Sequence, residues 1–251
     1  PLSFKNNRLH SVSETESSGF GVRVNLNGRT GFSYTNDSDG IDGAVKRSLA
    51  LSEYGDIENF SLPGDAAVSF EPYDEEIAGF NIQDEITRAE KMIGGIKSSF
   101  PGINIDLGIT SSTGIVRLLN SSGIDVSYRE SFYSMSAACS YIMPDGTRIE
   151  TWESMSELKP ADFSCMEDKL TEKIEKALCQ EKTDSGHYPV IFPPRAFGRL
   201  LGFVASGLNG VSVWKGVSPF ADKPGEKVFS ENFSMTDNPF IAGSPYSVPF
   251  D

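Results

Sequence analysis

Two histidines (His10 and His187), three cysteines (Cys139, Cys165 and Cys179) and an arginine pair (Arg195 and Arg199) are the residues of this 251-residue chain whose types could carry chemistry. A zinc site needs three or four nitrogen, sulfur or oxygen ligands converging on one point. His10 and His187 stand most of the chain apart, and neither has a second histidine, cysteine or glutamate at helical ligand spacing. A cysteine nucleophile needs a neighbouring base and a lowered pKa. Cys139 falls in a strand pattern, Cys165 near a helix start and Cys179 near a helix end, so buried or incidental thiols account for all three. No serine sits in a G-x-S-x-G elbow. Gly19-x-Gly21 opens no helix, and Lys223 near Gly225 lacks the ending of a phosphate loop, which leaves turns and connections there. Arg195 and Arg199, spaced by four, would share a helix face and could hydrogen-bond a peptide carboxylate or carbonyls.

The arginines belong to the stretch around which the chain is organised, PVIFPPRAFGRLLGFVASGLNG, Pro189 to Gly210. It reads as a short buried strand, Val190 to Phe192, running through Pro193 and Pro194 into a helix. Proline is tolerated in a first helical turn, so the pair marks a start. Phe197, Leu200, Leu201, Val204 and Leu208 recur at three- and four-residue intervals on one apolar face. The residues alone allow a plain core helix with both arginines at its solvent end, or a helix that lines a binding cavity.

In chain order, Pro1 to Ser18 fits a strand or a loop equally well. Val22, Val24 and Leu26 alternate up to Asn27-Gly28, a type I′ hairpin signal, and the run resumes at Arg29 to Tyr34. Asn36, Asp37 and Ser38 are candidate caps for a helix from about 39 to 53, with Ile41, Val45 and Leu49 on one side. An acidic loop follows from Glu58 to Gly79, with at most a short strand at Ala66 to Phe70. Ile82, Ile86, Ala89, Ile93 and Ile96 predict a helix to about Ser98, weakened at its end by Gly94 and Gly95. Alternating runs from Ile103 to Trp152 read as an antiparallel meander with one covered face. Phe163, Met166, Leu170, Ile174 and Leu178 predict a helix over about 161–180. The polar stretch Glu181 to Gly186 is the expected boundary between an α+β domain at 1–185 and a second domain beginning at 186. Val211 to Trp214 and Phe229 to Met235 alternate as strands would.

Apolar residues at 38% and charged residues at 23% describe an ordinary globular protein. The formal net charge of −13 argues against a nucleic-acid surface, since phosphate contacts need clustered lysine and arginine, and suits solubility or a basic peptide partner. Three cysteines match no disulfide or zinc framework, so reduced thiols and a cytoplasmic location are expected. No apolar run approaches a membrane span, and the first residues carry no targeting pattern.

The central stretch, with GVSPFADKPGEKVFSENFSMTDNP (Gly216 to Pro239), SPYSVPFD (Ser244 to Asp251) and, more mildly, GFGVRVNLNGRTGFSYTND (Gly19 to Asp37), resembles the TldD/PmbA family, also labelled modulator of DNA gyrase. Catalytic members carry an HExxxH zinc motif on the equivalent helix after a pair of leucines. Following Leu200 and Leu201, this chain has Gly202, Phe203 and Gly207 at those positions, so the resemblance is to the PmbA/TldE branch, which lacks the motif. It implies an N-terminal antiparallel-rich sheet packed with helices, then the start of a largely β C-terminal domain over 186–251, within a longer protein. It also implies a non-catalytic subunit of a TldD-type zinc metallopeptidase, with zinc and catalytic residues only in the partner. Arg195, Arg199 and Trp214 would then touch an extended peptide or the partner, with no contact to nucleic acid or membrane. The alternatives are an independent homodimeric peptidase-related or peptide-binding protein, or a regulator of DNA gyrase by protein contact.

Overall fold

The computed structural model describes residues 1–251 except 59, 60, 66, 67, 180, 250 and 251. The chain forms two compact units, one made of Pro1–Gln180 with Asn238–Asp251 and the other of Glu181–Asp237.

In the first unit β1 (Leu2–Lys5) and β2 (Arg8–Val12) are joined by Asn6 and Asn7, with φ of 48° and 68°. Asparagine tolerates this left-handed region, which a two-residue hairpin requires. The Asn7 side chain also donates to the Ile103 carbonyl and accepts from the Ile105 amide, both at 2.9 Å, fastening the hairpin to the next strand. The open reading of Pro1 to Ser18 thus resolves as strands over Leu2–Lys5 and Arg8–Val12 and as a loop over 13–18. β5 (Asn104–Leu119), β6 (Asp125–Ile142) and β7 (Arg148–Glu157) complete an antiparallel sheet of order β2-β1-β5-β6-β7. One face alternates Leu2, Phe4, Ile105, Leu107, Ile109, Tyr133, Met135, Ala137 and Cys139, all buried.

That face is covered by α2 (Ile82–Ser99) and α3 (Phe163–Leu178), which bury Ile86, Ala89, Met92, Ile93 and Ile96 from one and Phe163, Met166, Leu170 and Ile174 from the other. Each fully buried aliphatic side chain contributes about 1.5–3 kcal/mol. Asn81 accepts from the Gln83 and Asp84 amides and Asp162 from the Ser164 amide, so both helices begin on side-chain caps. α2 continues through Gly94 and Gly95 to Ser99. A Cβ on Gly95 would lie 2.1 Å from Glu167 Oε1 of α3, a mobile carboxylate that would have to swing aside. The sequence reading of α3 extended to Gln180, which lies outside the described residues. The strand considered at Ala66 to Phe70 is absent at 68–70, and Ala66 and Ala67 lie outside the description as well.

β3 (Phe20–Leu26) and β4 (Arg29–Thr35) form a separate hairpin through Asn27 and Gly28, with φ of 53° and 78°. α1 (Ile41–Ser52) lies on it, yet its buried residues are Ala44, Ser48 and Ser52, while Val45 and Leu49 are exposed. Close approach decides the face. A Cβ on Gly31 would stand 2.0 Å from the Ser48 carbonyl oxygen, so only small residues fit there.

The expectation of a largely β segment after residue 186 is overturned. From α3 onward the described residues form helices and turns, with α4 (Pro194–Leu208) and α5 (Gly210–Trp214) in the second unit and no strand over 181–249. Val190 to Phe192 is neither a strand nor buried, and Ile191 is 93% exposed. Val211 to Trp214 alternates in sequence but is a helical turn, because Asn209 leaves the helical region at ψ 129° and its side chain caps the Val211 amide. Four alternating residues cannot hold a strand against such a cap without a ladder to join.

Candidate functional site

α4 begins as its sequence dictates, with Pro193 extended at the cap and Pro194 in the first turn. Its covered side rests on a phenylalanine cluster of the same unit. Phe197 meets Phe233 at 6.3 Å between ring centroids, Phe233 meets Phe229 at 5.1 Å, and Phe229 meets Phe220 at 5.7 Å. Gly207 is the buried residue of the helix. A Cβ built on it would lie 2.8 and 2.9 Å from Phe220 ring carbons and 3.3 Å from Pro219 Cδ.

The other side carries Arg195, Arg199, Gly202 and Ser206, which helical spacing aligns. Both arginines are exposed, in a helix with no acidic residue in its first turn. Phe203, 78% exposed, stands at the edge of this side. Trp214 is 83% exposed on α5, beyond the break at Asn209. The structure therefore groups the arginines on one helix and sets the tryptophan on the next. A buried core helix is not what α4 is within this unit, since Leu200 and Leu208 are also exposed.

Gly202, Phe203 and Gly207, the positions that the family resemblance sets against a metal motif, differ physically. Space is open around Gly202, Phe203 projects into solvent, and the Phe220 ring occupies the room beside Gly207. Among the described residues no group of three or more histidine, cysteine, aspartate or glutamate side chains could hold a metal ion. The side chains among the described residues do not fit zinc. His10 and His187 are both exposed, on β2 and in the loop before α4. Burial pushes the Cys139 thiol up to about 11, so it is a poor nucleophile near neutral pH, while Cys165 is half-buried and Cys179 exposed.

Sequence reading missed Phe220 as the partner of Gly207, because no local spacing links a turn residue to a helix thirteen positions earlier. It also missed a buried carboxylate in the first unit. Glu85 is 3% exposed and accepts from the Tyr133 hydroxyl at 2.8 Å and from Arg88 Nη1 at 2.7 Å. Arg88 also donates to the Ala161 carbonyl and stacks over Phe163, so the group ties α2 to the sheet and to the start of α3. With both Glu85 oxygens partnered, it is a structural clamp.

Both ends of the chain match models of metallopeptidase domains. Residues 1–52 match the PmbA/TldA metallopeptidase domain 1, and residues 185–251 match the PmbA/TldA metallopeptidase C-terminal domain. Within that class the chain resembles TldE and PmbA. The crystal structure of TldE from Thermococcus kodakarensis superposes with a TM-score of 0.76 at 16% identity, covering 90% of this chain and 53% of that one. The metalloprotease PmbA homolog of Haemophilus influenzae is 22% identical over 261 residues, 97% of this chain and 56% of its own length. An uncharacterized Methanocaldococcus jannaschii protein is 24% identical over 239 residues, 93% of this chain and 54% of its own. The chain spans about half the length of the curated relatives it matches. No helix among the described residues is long and apolar enough to cross a membrane.

Proposed function

We propose that this chain is part of a PmbA/TldE-like, non-catalytic subunit that pairs with a TldD-type zinc metallopeptidase in the cytoplasm and contributes to peptide processing. The observation that carries the reading is α4 itself, with Gly202, Phe203 and Gly207 at the motif positions and the Phe220 ring filling the last. Residues 1–185 would form the α+β domain and 186–251 the beginning of the C-terminal domain. Arg195 and Arg199 would hydrogen-bond carbonyls or a carboxylate of an extended peptide or of the partner, and Trp214 would supply an apolar contact. The bond-breaking chemistry belongs to the partner's zinc, while this chain binds and encloses.

The test uses the full-length protein and a TldD-like partner, with zinc quantified in each separated subunit and cleavage of an unstructured peptide followed. Zinc and cleavage that require the partner, with this protein metal-free, support the reading. Stoichiometric zinc and cleavage by this protein alone overturn it.

A further inference from the structure

The segment from 238 to 249 returns to the first unit and lies on the ribbon of β5 and β6. Tyr246 packs edge-on against Phe132 at 6.1 Å, Phe240 against Phe70 at 6.4 Å, and Ser69 Oγ donates to the Pro249 carbonyl at 3.0 Å. Between segment and ribbon is a cavity of about 240 Å³, walled by Pro72, Pro245 and Phe132 with Ser112, Ser247 and Glu130 among its polar residues. This is below the roughly 300–1,000 Å³ of small-molecule sites, and suits a single side chain.

Its polar equipment has one sign. Ser247 Oγ already donates to the Ile241 carbonyl at 2.6 Å, which leaves its lone pairs to accept. Glu130 pairs across the ribbon with Gly114, and its Oε1 lies 3.0 Å from where a Gly114 Cβ would stand, so the missing side chain gives the carboxylate its place. Among the described residues no cation pairs with Glu130. The adjacent Arg129 is held by Glu71 at 2.8 Å and Glu75 at 2.9 Å, over the Tyr73 ring. Lys159 and Arg117 are likewise bound, to Glu76 and Asp125. Residues 181–237 hold six acidic and six basic side chains, so the whole charge of −13 belongs to the unit that contains this cavity.

We propose that the cavity is a site for the cationic side chain of a lysine or arginine in a polypeptide ligand. The proline and phenylalanine walls cover the methylene stem, the ring adds a cation–π contribution, and Glu130 takes the charge. The site lies wholly on the first unit and does not depend on the subunit role proposed above.

The experiment titrates the full-length protein, without any partner, with Ac-Gly-Gly-Lys-Gly-Gly-amide and its norleucine analogue, following backbone amide resonances. The lysine peptide shifts Ser112, Phe132 and Ser247, and norleucine binds about five- to tenfold more weakly. Glu130→Gln abolishes that difference with an unchanged circular dichroism spectrum. Equal affinity of the two peptides for the unmodified protein, shifts confined to other residues, or an undiminished lysine preference in Glu130→Gln would overturn the proposal.

Discussion

The Phe220 ring stands where a side chain on Gly207 would have to go, with ring carbons 2.8 and 2.9 Å from the position of a Cβ. The same ring is packed through Phe229 to Phe233 and Phe197, so the position is closed by a continuous aromatic cluster. Gly207→His should therefore destabilise the protein by roughly 1–3 kcal/mol, the range for overpacking. In a Phe220→Ala background the same substitution should cost markedly less. Urea unfolding of the two single variants and the double variant measures the coupling; strict additivity would show that the ring does not obstruct the position.

In the reconstituted pair, Arg199→Ala is expected to raise KM for peptide several-fold while kcat stays within about twofold, as for a group that binds substrate and transition state alike. Zinc content of the partner serves as the control. An unchanged KM with weaker subunit association would assign Arg199 to the partner contact.

The Tyr133 hydroxyl, desolvated and donating to Glu85, has its pKa raised above the ordinary tyrosine value. A raised acid stays protonated in the fold while the unfolded chain releases its proton. Stability is fully present below about pH 10 and is lost as pH rises beyond it. Tyr133→Phe should cost about 1–2 kcal/mol at pH 7 and flatten the alkaline decline. Equilibrium unfolding at pH 7 to 11 gives both numbers.

Thiol reagents at pH 8 should modify Cys179 first and Cys165 more slowly, with Cys139 reacting at the rate of global opening. Burial that places the Cys139 thiol at about 11 has the same sign as the tyrosine case, so its contribution is lost between about pH 9 and 11. Rapid labelling of Cys139 in native protein would contradict its burial.

Gly31→Ala should detach α1 from the hairpin, because the added methyl would meet the backbone at Ser48 and Ser52 at 2.0 and 2.5 Å. The expected cost lies at the upper end of roughly 1–3 kcal/mol. Hydrogen exchange should show faster opening over 20–52 and unchanged protection in β5 and β6.

The first unit was legible because its patterns are long. Sixteen paired residues of β5 and β6 and the recurring isoleucines of α2 leave little choice of face or register. α1 misled for a local reason, since its apolar residues suggested one side while the close approach of Gly31 to Ser48 and Ser52 turns the small residues inward. After residue 186 the runs are short, and the Asn209 cap and the turns decide instead of alternation. Gly202, Phe203 and Gly207 could be named from sequence through a family resemblance, but the obstruction by Phe220 exists only in three dimensions. Glu85 was discoverable in principle, because it falls one residue before Ile86 on the buried stripe of α2.

The uneven charge also sets how each unit responds to its solvent. Association through the uncharged-overall 181–237 unit, led by Phe203 and Trp214, should hold nearly constant from 50 mM to 500 mM salt, whereas a ligand drawn by the first unit should weaken as the Debye length contracts below about 10 Å. Ionic strength alone thus becomes a dial that separates the two modes of recognition without a single mutation.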